Sequence, residues 1–122
     1  MENPDWRAEL DANGYAILPR VFSDAAVNHI VQGLEKAFQD DVGGSTMRSA
    51  DGSVYGARNL LQLWPALRTL WTQPPLPQIL AAVLGDNFGL VRVLFFDKPP
   101  EQSWALPWHK DFAIAVKNNR FI

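Results

Sequence analysis

Apolar residues recur along this chain at two different periods, and the changes between them mark its elements. Val27, Ile30, Val31, Leu34 and Phe38 fall at helical spacing and form one stripe. Ser23-Asp24 precedes that stripe, a hydroxyl cap followed by an acid at the positive end of the helix dipole. A second stripe, Leu76, Ile79, Leu80, Val83 and Leu84, follows Pro74, Pro75 and Pro77 and ends at Gly85. Between the two stripes, residues 59–72 are apolar and interrupted by Pro65. This predicts two short helical pieces, with the proline opening the second.

The strand signals lie outside these helices. Gly14 to Pro19 reads as a short strand after a turn at Asn13-Gly14, with Pro19 at an edge or at the strand's end. Residues 88–96, rich in Val, Leu and Phe, predict a second strand, and residues 108–116 a third. Residues 40–56, rich in Gly, Ser and Asp, read as a long loop, either a lid or binding loop or a plain surface excursion. Residues 97–107 form another loop around Pro99-Pro100. The order is one strand, several helices, then strands, an α+β class whose last strand would leave an unpaired edge. There is no internal repeat, and the impression is of a fold cut off partway.

Composition narrows the function classes. With 122 residues the chain suits one domain, and 48% hydrophobic against 20% charged residues is an ordinary globular balance. The net charge of −2 and the lack of any basic run give no reason to expect a nucleic-acid or anionic-membrane partner. The absence of cysteine removes disulfides, thiolate metal sites and thiol nucleophiles. The charged N-terminus has no apolar core of a signal peptide, and no apolar run approaches membrane-spanning length, so a cytoplasmic location is expected.

The candidate chemistry sits in the last expected strand. Side chains two apart on a strand share a face, so His109 and Asp111 would point the same way and Lys110 the other. An imidazole beside a carboxylate suits a divalent metal, and two His with one carboxylate is the arrangement of non-haem Fe(II) oxygenases. Ala113 and Ala115 continue that face with small side chains, while Phe112, Ile114 and Val116 would pack on the other. His-x-Asp alone is a weak motif, and a surface histidine bonded to its neighbouring carboxylate fits it too. The other histidine, His29, falls off the Val27/Ile30 stripe and reads as a solvated helix residue.

A longer match adds to this. The run from Phe95 through Lys98-Pro99-Pro100 to Pro107-Trp108-His109-Lys110-Asp111, continued by Ile114-Ala115-Val116-Lys117, resembles a segment of the phytanoyl-CoA dioxygenase family, Fe(II)- and 2-oxoglutarate-dependent enzymes. Asn13 to Pro19, then Val21-Phe22-Ser23 and the amphipathic helix, resemble that family's opening. Lys110 departs from the family's usual Gln. The resemblance implies N-terminal helices followed by the first strands of an incomplete double-stranded β-helix, of the jelly-roll or cupin kind. The whole chain would be one partial domain.

By the same resemblance, His109 and Asp111 match the first two iron ligands. Arg92, Leu94 and Phe96 match a strand lining the 2-oxoglutarate pocket, and Arg58 is a further candidate for that cosubstrate. Arg92 could equally be a surface residue, Leu94 and Phe96 plain core, and Trp108 reads as packing. The implied reaction couples decarboxylation of 2-oxoglutarate, with O2, to hydroxylation of a small-molecule C–H bond. The second iron-binding histidine and the basic anchor for 2-oxoglutarate would lie beyond residue 122, so the chain alone is expected to be inactive and to pair with a missing C-terminal half. Two other readings stay open: a non-catalytic domain that binds a ligand or partner through its apolar edge and carries a degenerate metal site, and an unrelated α+β domain with an accidental His-x-Asp.

Overall fold

The computed structural model describes residues 5–100 and 104–110. It opens on a helix that the hydrophobic pattern does not announce. In α1, Trp6–Asn13, the Asp5 carboxylate accepts from the Ala8 N–H, and Gly14 closes the helix at φ +78° with its N–H on the Leu10 carbonyl at 2.8 Å. Both ends are therefore capped by side chain or backbone although the helix buries no residue. Residues 15–18, between the bend at Gly14 and the turn at Pro19, have no strand partner, in place of the expected strand. Their alternation survives, with Tyr15 and Ile17 exposed and Ala16 and Leu18 half-buried. What is missing is a ladder, and Pro19 has no N–H to give one.

Helix α2, Asp24–Gln39, starts where the sequence places it, the Ser23 hydroxyl accepting from the Ala26 N–H at 3.1 Å. Its stripe is covered unevenly. Phe38 is buried and Leu34 packs beside it, but Val27 and Val31 remain 44% and 45% exposed.

The expected loop over residues 40–56 is instead largely a hairpin. Strands β1, Thr46–Arg48, and β2, Val54–Ala57, pair antiparallel, with Tyr55 as an extra residue between the Met47↔Gly56 and Arg48↔Val54 pairs. That bulge resets the alternation, so Val54 and Ala57 both reach the core. Polar side chains stitch the turn. Asp41 accepts from the Thr46 N–H and hydroxyl, both at 2.9 Å, and Asp51 accepts from the Ser53 N–H and the Ser49 hydroxyl. Gly52 takes φ +88° at the tip.

Two short helices follow, α3, Leu60–Leu63, and α4, Leu67–Leu70, split at Trp64-Pro65 as the proline requires. Helix α5, Leu76–Leu84, ends at Gly85 (φ +81°), and Arg7 of α1 donates to its Ala82 carbonyl at 2.8 Å. Only Phe95–Phe96 of the expected strand 88–96 is paired. This is β3, which lies antiparallel to β2 through Gly56↔Phe96 and Ala57↔Phe95. The sheet order is β1-β2-β3.

The core gathers Phe38, Ala57, Leu60 and Leu67, one residue from each of α2, β2, α3 and α4, with the Phe95 ring tilted against Phe38 at 5.1 Å. The class is α+β. Of the last expected strand, residues 108–110 are not in a strand, and 111–116 lie outside the described residues. Among the described residues no helix is long and apolar enough to cross a membrane.

Candidate functional site

Two stretches distant in sequence, residues 58–68 and 91–94, meet at one cleft of about 430 Å³, whose lining includes Arg58, Arg68, Arg92 and Leu94. Each arginine stands beside a residue anchored in the core. Arg58 follows Ala57 (1% exposed), Arg68 follows Leu67 (9% exposed), and Arg92 precedes Val93, which packs on the core cluster. The backbone under each guanidinium is thus fixed while the cation itself reaches solvent. The Arg58 N–H also donates to the Ser45 carbonyl at 2.9 Å, tying the start of this segment to the hairpin.

Two features set the electrostatics of the cleft. Among the described residues no carboxylate lines it. None of the three guanidinium groups has a hydrogen-bonding or ion-pair partner among the described residues, and Arg92 is exposed, as a surface residue would be. Leu60 and Leu94 give the lining apolar area as well.

The structure therefore brings Arg58, Arg92 and Leu94 together, as a shared pocket requires, and adds Arg68, which the sequence reading passed over. Phe96 does not line the cleft. Its ring meets Trp104 edge-on at 6.1 Å, and Trp104 also meets Tyr55 at 6.2 Å. Lys98 closes this group, its Nζ donating to the Trp104 carbonyl at 2.7 Å and lying 4.6 Å from the indole centroid.

His109 is exposed, and its Nδ1 lies 2.9 Å from the Pro107 carbonyl. A carbonyl only accepts, so Nδ1 carries the hydrogen, and in the neutral ring Nε2 is the lone-pair nitrogen. Asp111, Ala113 and Ala115 lie outside the described residues. His109 is not in a strand, so the shared-face argument has no ladder behind it at that end. Trp108 is fully exposed, against the expectation of packing: it is not in a strand, and among the described residues no element covers the ring. His29 is exposed on α2 as expected, its ring 6.0 Å from that of Trp64.

The carboxyls held below the usual range belong to the hairpin rather than to the cleft. Asp41 is lowered chiefly by the Thr46 N–H, and Asp51 is lowered to about 2, chiefly by the Ser49 hydroxyl and then the Ser53 N–H. Among the described residues no three His, Asp or Glu side chains gather in a metal-binding group. No family model, curated protein or solved structure matches this chain.

Proposed function

We propose that this chain supplies half of a non-haem Fe(II), 2-oxoglutarate-dependent dioxygenase site, with His109 and Asp111 as two metal ligands. The observation that carries the reading is the Nδ1–H of His109 directed to the Pro107 carbonyl at 2.9 Å. Histidines that hold metals donate their other ring N–H in this way, which fixes the ring and raises the basicity of the coordinating nitrogen. The donor set, one imidazole and one carboxylate, suits Fe(II). The chemistry the metal and cosubstrate supply when bound is oxidative decarboxylation coupled to C–H hydroxylation.

The protein's own part is to bind and orient. Arg58 and Arg92 match the charge of a dicarboxylate, and Leu94 offers an apolar surface beside it. The resemblance asks for a second histidine. The chain has two in all, and His29 belongs to α2 beside Trp64, so the reading draws that ligand from a C-terminal half outside this chain. The same reading completes the sheet beyond β3 into a jelly roll.

Anaerobic Fe(II) titration by equilibrium dialysis tests the ligand pair. Weak binding that disappears in both His109→Ala and Asp111→Ala is expected. Equal binding by all three proteins overturns the assignment.

A further inference from the structure

The iron reading uses two arginines of the cleft, yet three converge there. Arg58, Arg68 and Arg92 line one space of about 430 Å³ in a chain whose net charge is −2, and among the described residues no carboxylate joins them in the lining. Like charges gathered without a counter-charge repel one another, and that repulsion is relieved when an anion enters. The volume lies toward the small end of the roughly 300–1,000 Å³ typical of small-molecule sites. The arginines stand on core-anchored backbone from three separate segments (the end of β2, α4, and the approach to β3), so the arrangement is built by the fold rather than by one flexible loop.

We propose that this cleft binds a small polyanion, bearing a phosphate or two carboxylates, without any metal, and that Arg68 selects such a ligand over a single carboxylate. A guanidinium pairs with a carboxylate or phosphate through two parallel N–H donors. One carboxylate engages one guanidinium fully and leaves the others unmatched. A phosphate or a short dicarboxylate offers enough oxygens to engage two or three. Val91 and Leu94, both part-exposed, take up the carbon skeleton between or beside the charged ends. The dicarboxylate arm rests on the cosubstrate reading of Arg58 and Arg92, whereas metal-free binding and the part of Arg68 make no use of His109 or Asp111 and can fail or hold apart from the iron site.

The test is a titration of the whole chain in metal-stripped buffer at low ionic strength, with inorganic phosphate, succinate and acetate, followed by NMR of the arginine Nε–H groups. Phosphate or succinate is expected to bind at least about tenfold more tightly than acetate, moving the Arg58, Arg68 and Arg92 signals together. Whichever of the two binds more tightly identifies the ligand as a phosphate compound or a dicarboxylate. Arg68→Gln is expected to lower that affinity about tenfold with the thermal melt unchanged, while Lys36→Gln on α2 leaves it unaltered. Three results would each overturn the proposal: acetate equal to the other two, Arg68→Gln without effect, or binding of 2-oxoglutarate and succinate that appears only once Fe(II) is added.

Discussion

The indole of Trp64 lies directly against Gly33 of α2, so closely that a Cβ placed on that glycine would stand 2.2 Å from the ring's Cζ2. The glycine is the slot through which the α3–α4 corner docks on the long helix. In an exposed helix Gly→Ala gains about 1 kcal/mol from propensity. Here the added methyl meets a rigid ring, and overpacking of this kind costs roughly 1–3 kcal/mol. Gly33→Ala is therefore expected to destabilise the fold by about 1 kcal/mol net in urea unfolding, and a gain in stability would show that Trp64 is not seated there.

Leu60 is 2% exposed at the centre of a small core, whereas Val83 of α5 is 50% exposed. Leu60→Ala should cost about 2–5 kcal/mol, a large part of the stability of a domain this size. Val83→Ala should cost under about 1 kcal/mol by the same denaturation measurement, since little of its surface leaves water on folding. Equal effects would contradict the placement of the core.

Asp51 titrates near 2 in the folded hairpin against an ordinary 3.8. A depressed carboxyl stabilises the folded form above its unfolded value and loses that contribution as the pH falls through the folded one. The hairpin tip should therefore loosen between about pH 4 and pH 2, read as a falling protection factor of the Ser53 amide, its exchange compared with the intrinsic rate at each pH. Asp41, lowered in the same direction chiefly by the Thr46 N–H, reinforces the trend at the hairpin's base. Asp51→Asn should flatten the dependence at the tip, and an unchanged profile in that variant would remove Asp51 from the account.

Helices with a stripe and a cap were legible before any coordinates. Ser23 and the Val27–Phe38 stripe define α2, Pro65 divides α3 from α4, and Gly85 ends α5. The strands were not, because a strand is defined by its partner. Residues 88–94 carry the right composition but only Phe95 and Phe96 meet β2. The hairpin hid in a polar stretch whose strands are three and four residues long, although Asp51-Gly52 is a turn signal in its own right. Helix α1 shows no stripe, and its marks are only Asp5 and Gly14 at its ends. At the cleft, Arg58, Arg92 and Leu94 could be nominated from a resemblance, but Arg68 could not, since nothing in the local pattern says which way an exposed arginine on a four-residue helix will face.

The central claim, that His109 and Asp111 form a metal-binding pair, is tested most directly by the nitrogen resonances of the histidine rings during titration with Mn(II), a redox-stable stand-in for Fe(II). The account predicts a His109 ring whose Nδ1 carries a hydrogen, broadened by Mn(II) well before His29, and the loss of that preference in Asp111→Asn. A hydrogen on Nε2, or equal broadening of His29 and His109, would contradict it.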